Sequence, residues 1–307
     1  MEGKMRHAYL IMTHKEPYNL KKLLELLDDE DNDIYIHIDI KSNILHKEEI
    51  MKWCVKSRIH FVKQTSVRWA GYSGIQCELI LLEEAVNGNY DYYHLLSGQD
   101  LPLVSQKEIH TFFENNKGKE FVSLYDRKEL DWRINALYDR VAYYHMEELE
   151  YRFKSKAMRK VVIFMSRVFL KVQKILHIRR NISMEDIVFG KNWFSITNGF
   201  AHYVLEHKEH IRKMFNYTAS GDEMFLQYML VNSPYKDNNY ICDRDSSLRY
   251  VDWTRSANKA NPHIWEASEF DELVNCRYLF ARKFDSTVDK QIIDKIFDHV
   301  NKMADNA

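Results

Sequence analysis

Two short stretches carry side chains whose types and spacing could do chemistry together. Glu223 follows Asp222 in SGDEMFLQY (220–228), where a helix should begin. Arg282 and Lys283 are adjacent in LFARKFDSTVD (279–289), walled by Leu279, Phe280, Ala281 and Phe284. A carboxylate on a rigid helix edge can take the proton of an attacking hydroxyl. A cation among apolar neighbours is weakly screened and stabilises developing phosphate charge better than a surface cation does. Each stretch also has a plain structural reading. Acids at a helix start cap free N–H groups and complement the helix dipole, and two cations in a strand alternate between its faces.

Weaker candidates surround these. Asp39 in YIHIDIKS (35–42) stands at a strand end, where an acid can accept hydrogen bonds from a ribose or base, or simply begin a turn. The turn SGQDLPL (97–103) offers Asp100 between the flexible Gly98 and the strand-stopping Pro102. Asp-x-Asp pairs that could hold a divalent metal occur at Asp29/Asp31 and Asp31/Asp33 in DDEDND and at Asp243/Asp245 in CDRDSS. The first cluster falls in an ordinary solvated turn, and neither argues for a metal. Without one, a departing phosphate group needs protein cations, and that favours Arg282 and Lys283.

The elements that must position these residues alternate. HAYLIMTH (7–14), DIYIHIDIKS (33–42), IHFVKQ (59–64) and YDYYHLLSGQDLPL (90–103) read as strands; NLKKLLELLD (19–28), HKEEIMKWC (46–54), GIQCELILLEEAV (74–86) and SQKEIHTFFENN (105–116) read as helices. Further on, WFSITNGFAHYVLEH (193–207) predicts a strand running into a helix, GDEMFLQYMLVNS (221–233) a helix, LRYVDW (248–253) a strand and VDKQIIDKIFDHVNKM (288–303) a closing helix. This order predicts an α/β fold with a mostly parallel sheet flanked by helices, and ligands gather where such strands end.

The 307 residues are 45% hydrophobic, with 9 Gly and 4 Pro and no linker-like stretch, so one compact unit spanning 1–307 is expected. The formal net charge of −1 gives no general attraction to nucleic acid. Its distribution is uneven. No acid occurs between Glu150 and Glu185, while ten cations from Arg152 and Lys154 to Arg179 and Arg180 do, marking a basic helical insertion around 151–184. Within it, 156–180 places Lys160, Arg167, Lys171 and Lys174 on one side and Val161, Phe164, Val168, Val172 and Ile175 on another. That pattern suits a helix lying on an anionic membrane, and equally a core helix with solvated cations or one facing an anionic acceptor. Cys54, Cys77, Cys242 and Cys276 form no CxxC pair, which fits a reducing compartment. The apolar run at 8–12 is too short for a signal peptide, and no window reaches the roughly 18 apolar residues of a membrane span. A cytoplasmic protein, peripheral to the membrane at most, is the expectation.

Taken in order, YIHIDIKSNILH (35–46), RWAGYSGIQCEL (68–79), HLLSGQDLPLVSQKEI (94–109), WFSITNGFAHYVLEH, GDEMFLQYML (221–230), LRYVDW and LFARKFDSTVD resemble the core-2/I-branching glycosyltransferase family over nearly the whole chain. That family includes β-1,6-N-acetylglucosaminyltransferases and peptide O-xylosyltransferases. The resemblance implies a GT-A-type fold, a UDP-sugar donor, inversion at the anomeric carbon and no cofactor or divalent metal. By position, Glu223 is similar to the family's catalytic base and Lys283 to the lysine that holds the UDP diphosphate. Arg255 is similar to its companion arginine, with Arg282 and Arg249 as competitors. Asp39 falls at the uridine-binding strand end, Trp69 and Asp100 near the donor or acceptor sugar, and Trp193 on the sugar-binding wall.

The wording of FARKFDSTV and IHIDIKSNILH is closest to the xylosyltransferase branch. The cysteine-rich loops and Golgi anchor of animal members are not expected from this sequence, and Lys191-Asn192 precedes Trp193 where xylosyltransferases carry Ser-Asp. Xylose and N-acetylglucosamine therefore both stand as donors, and a glycan or lipid-linked hydroxyl as acceptor. The rival expectations are a catalytically silent UDP-sugar or glycan-binding protein and a metal-dependent transferase.

Overall fold

The computed structural model describes residues 4–126, 128, 134–150, 153, 155–183, 185–256 and 261–305. Arg152 and Lys154 of the basic stretch lie outside them. Strands β1 (His7–Thr13), β2 (Asn32–Ile38), β3 (Arg58–Phe61) and β4 (Tyr92–Ser97) run parallel in the order β3-β2-β1-β4. After the short β5 (Asp100–Pro102), β6 (Phe121–Val122) and β7 (Phe194–Thr197) complete the six-stranded sheet beyond β4. β7 pairs antiparallel with both β4 and β6, so it opposes the other five strands. The expected mostly parallel sheet flanked by helices is what forms. A second sheet, order β5-β9-β8, joins β8 (Arg249–Val251) and β9 (Phe280–Arg282) to β5.

Alternate residues of each central strand feed two cores, which is why these strands are apolar on both faces. Ala8, Leu10, Tyr35 and Leu95 pack against Ile75, Leu79 and Leu82 of the helix Tyr72–Ala85 and Phe200 of the helix Asn198–Glu206. On the other face Tyr9, Ile11, Ile34 and Leu96 meet Leu20 and Leu24 of the helix Pro17–Leu27, Phe113 of the helix Gln106–Asn115 and Ile296 of the helix Lys290–Asp305. Ser105 opens the helix Gln106–Asn115 with a capping box to Glu108.

Two segments differ from expectation. The stretch 46–54 keeps only one helical turn, Lys47–Ile50. The stretch 221–233 is split into a 3-10 turn, Gly221–Glu223, and a helix, Phe225–Val231. Ser220 has φ 49°, in the left-handed region, and makes no side-chain cap, so the acids here do not cap an α-helix.

Arg249, a candidate companion for Lys283, lies in the core instead. Its Nη1 donates to Ser195 Oγ at 2.9 Å, and its Nη2 donates to the carbonyls of Phe194 at 2.6 Å and Leu95 at 3.3 Å. The guanidinium rests 4.9 Å from the Phe280 ring, and burial pulls its pKa down to about 10. This one side chain ties β8 to β4 and β7, joining the two sheets. Replacing Arg249 with Met leaves those carbonyls without a donor and is expected to cost about 3 kcal/mol or more in urea unfolding. A loss below about 1 kcal/mol would remove that role.

Candidate active site

The parallel strands all end at one edge, and their exits build the site. After β2, Asp39 donates its backbone N–H to Thr13 O (2.9 Å), while its carboxylate accepts from Lys41 N (2.8 Å) and Val67 N (3.1 Å). Asp39 is buried, and it anchors the loop that follows β3. After β4, Asp100 is fully buried and accepts from Ser97 N and Ser97 Oγ, each at 2.9 Å.

The register of β5 and β9 sets Asp100 opposite Arg282. Arg282 Nη1 donates to Asp100 Oδ1 at 2.8 Å and also bonds Ser97 Oγ, and its guanidinium lies 4.4 Å from the Trp193 ring. The next residue is pinned through the backbone. Trp265 donates its indole N–H to Arg282 O (2.9 Å) and its backbone N–H to Lys283 O (3.0 Å), and Phe284 N donates to Gln99 O (2.9 Å).

Lys283 is buried and its ammonium donates to Asn261 Oδ1 at 3.3 Å; among the described residues no carboxylate forms an ion pair with it. Burial, then the charges of Arg282 and Lys15, pull its pKa down to about 8. Lys15, at the end of β1, pairs with Asp285 at 3.0 Å. The apolar setting of the two cations thus resolves unequally: Arg282 pairs directly with Asp100, while Lys283 feels Asp285 and Asp100 only at longer range and, among the described residues, forms no ion pair.

Arg255 is placed differently from the companion expected for Lys283. It bonds Asp252 and pairs with Glu269 and Glu272, each at 2.7 Å, with its guanidinium 5.0 Å from the Trp265 ring. Three carboxylates already compensate this guanidinium. Two sugar-contact candidates are likewise turned inward. Asp100 has both oxygens bonded and no exposed surface, and Trp193 is 8% exposed beneath Arg282; both support the arginine. Trp69 is 73% exposed, so its ring is open to serve as a platform.

Glu223 is held by its turn. Ser220 N donates to Ala70 O (2.9 Å), beside Trp69, and Gly190 N donates to Glu223 O (3.0 Å). The carboxylate is partly exposed and accepts from Arg140 Nη1 at 2.8 Å, on the helix Ile134–Ala142. Beneath it, Asp222 keeps some solvent contact, yet its Oδ1 is sealed and has no hydrogen-bond partner. Gly74 faces this group: a Cβ there would sit 3.9 Å from the Asp222 carboxylate. Glu78, one turn along the same helix, is fully buried with Oε2 also without a partner. Burial, then the charge of Glu223, pushes Asp222 up to about 7. Burial, then Asp222, pushes Glu78 well above the carboxylate range.

The acidic pairs have partners of their own. Asp29 and Asp31 approach His110 within 4.8 Å at the amino-terminal edge of β1, where His7 N donates to Asp31 O, the end opposite Lys283. Asp245 is paired with Lys191 at 3.0 Å, whereas Asp243 is exposed beside Arg244.

The profile described as the Core-2/I-Branching enzyme matches residues 7–274. The chain belongs to that family. Xylosyltransferase 2 of Rattus norvegicus is 23% identical over 322 residues, which cover 96% of this chain and 34% of the relative. Xylosyltransferase 2 of Homo sapiens is 22% identical with the same coverage, and xylosyltransferase 1 of Rattus norvegicus 21% identical over 95% of this chain and 35% of its own. The chain spans about a third of the length of these relatives. The structure of mouse xyloside xylosyltransferase 1 aligns with TM-score 0.39 and 8% identity, covering 90% of this chain and 96% of that chain.

Sequence reasoning did not find Arg140, Glu78, Lys15 or Trp265 in this core-2/I-branching enzyme. Arg140 is 83 residues from Glu223 and carries no local signal. Lys15, directly after a buried strand end, could have been noticed there. An acid whose folded pKa is raised contributes stability that is full below its ordinary value and lost as pH rises through the folded value. For Asp222 that window runs from about 4 to about 7. Asp222→Asn should therefore gain roughly 1 to 3 kcal/mol on wild type between pH 4 and pH 8, the full shift being discounted for residual exposure. Parallel unfolding curves for the two proteins across this range would contradict the sealed carboxyl.

Proposed function

We propose that this core-2/I-branching enzyme is an inverting, metal-independent glycosyltransferase of GT-A type that moves xylose or N-acetylglucosamine from UDP to a hydroxyl of a glycan or lipid-linked acceptor. The observation that carries the reading is Lys283, a buried cation at the carboxyl edge of the sheet with a neutral amide as its partner. The relatives, named xylosyltransferases, favour xylose.

In the proposed reaction Glu223 takes the acceptor hydroxyl's proton as that oxygen attacks the anomeric carbon. The bond from that carbon to the diphosphate oxygen breaks on the opposite face, and its electron pair leaves with UDP. The Lys283 ammonium stabilises the charge that appears there, and it does so strongly because its surroundings exclude water. Arg282 is fixed by Asp100 and Trp193, and with Trp265 it sets where Lys283 can reach. Arg140 orients Glu223 until an acceptor arrives. Asp39, holding the loop that carries Trp69, shapes the place proposed for the uridine. Asp29 and Asp31 lie at the opposite edge of the sheet from Lys283 and Asp245 is paired with Lys191, and this scheme gives a divalent ion no part.

Glu223→Gln should lower transfer by about two to four orders of magnitude while UDP affinity measured by calorimetry is retained. Turnover equal to wild type would remove the base assignment. UDP-sugar bound by wild type but neither transferred nor slowly hydrolysed would make the chain a binding protein.

Lys283→Ala should weaken UDP at least about tenfold in EDTA. Because the free lysine loses its proton near 8, wild-type affinity should fall as pH rises from 7 to 9, and Lys283→Arg should flatten that fall. A wild-type affinity that is level with pH would contradict the role of this ammonium. Loss of wild-type transfer in EDTA would overturn the metal-independent reading.

A further inference from the structure

The helix Lys156–Ile175 packs on the protein through very little of its surface. Gln173 is its one buried residue, and its side chain accepts from Tyr144 N (2.9 Å) and donates to Tyr144 O (3.0 Å). At 3.6 residues per turn, Gln173 shares a face with Val162, Ser166 and Leu170, all half-buried. The remaining circumference divides into two stripes. Lys156, Lys160, Arg167, Lys171 and Lys174 form one, exposed throughout. Met158, Val161, Phe164, Met165, Val172 and Ile175 form the other, and they too are exposed, Phe164 by 63% and Ile175 by 73%. The apolar stripe of this amphipathic helix therefore points away from the core, the reverse of an ordinary surface helix.

We propose that this stripe docks on an anionic lipid bilayer, with the helix lying in the interface plane. Three observations select that occupant. The helix contains no acid, so every charge it carries itself beside the apolar stripe is positive, and a surface of negative headgroups over acyl chains matches both stripes together. A second copy of the chain would set one cation stripe against another. The stripe runs straight for about 30 Å with no Gly, Pro, Tyr or Trp, which suits shallow insertion rather than a shaped protein pocket. Among the described residues no helix is long and apolar enough to cross a membrane, so this one lies on the surface.

The far end of the helix reaches the site. Lys174 bonds Asp139, the residue before Arg140, and Arg140 holds Glu223. Docking thus brings the edge carrying Glu223 to the lipid surface. Resting on the function proposed above, the acceptor is then one displayed at that surface on a lipid carrier.

The test is co-sedimentation of the full chain with phosphatidylcholine vesicles, with and without phosphatidylglycerol. We expect partitioning at least about tenfold stronger on the anionic vesicles, weakened by salt. The double variant Phe164→Glu, Met165→Glu should lose it by about tenfold or more with UDP binding unchanged, since both side chains are exposed. Equal partitioning onto neutral vesicles, no partitioning, or wild-type behaviour of the variant would overturn the proposal. A wild-type dimer in sedimentation equilibrium that the variant abolishes, without vesicle binding, would overturn it and assign the face to a second copy. Failure of vesicle binding leaves UDP binding untouched, so it is distinguishable from failure of the transferase reading.

Discussion

The buried ion pair between Asp100 and Arg282, closed at 2.8 Å inside the β5–β9 register, is the contact on which the site depends. Asp100 has no exposed surface, so its charge is tolerable only because Ser97 donates two hydrogen bonds and Arg282 supplies a guanidinium. The pair joins the exit of β4 to the end of β9, and with the two bonds from Trp265 it fixes the backbone that carries Lys283. It also divides the labour between adjacent cations. Arg282 is compensated and structural, whereas Lys283 is buried beside it with no direct ion pair among the described residues, Asp285 and Asp100 acting on it only at longer range. An arginine suits the first place because its planar fork takes Ser97, Asp100 and the Trp193 face at once.

A second buried guanidinium makes the arrangement possible. The small β5-β9-β8 sheet packs Leu101, Phe280 and Ala281 into the second core, and it also has a polar attachment to the large sheet. Arg249 provides it by donating across to β4 and β7. The two arginines therefore play connected parts: one holds the small sheet to the large one, and the other uses that attachment to aim the residue after β9.

The acidic side of the site is arranged by desolvation. Glu78 is sealed and Asp222 largely so, and burial raises the pKa of both. Three like charges in one small volume would repel, and the raised pKa values of Asp222 and Glu78 lessen that repulsion below Glu223, whose carboxylate accepts from Arg140. The 3-10 turn that replaces the expected helix start produces this layering, since it turns Asp222 toward Gly74 and leaves Glu223 reachable.

The sequence by itself determined the elements and the chemistry of their ends. Apolar runs and helical spacing are local properties, and β1, β2, β4 and the long helices form where those patterns lie. Glu223, Asp39, Arg282 and Lys283 were legible as chemically suggestive residues because each follows or ends such an element. Tertiary structure decided which side chains meet. Arg282 finds Asp100 across 182 residues and Arg140 finds Glu223 across 83, pairings that strand order creates and that leave no local trace. It also decided that Trp69 faces solvent while Trp193 lies under Arg282, and that Arg255 meets three carboxylates instead of an open charge. The physical reason is one of range: periodicity fixes which residues are buried within an element, but the partner of a buried charge is fixed by which elements the topology brings alongside.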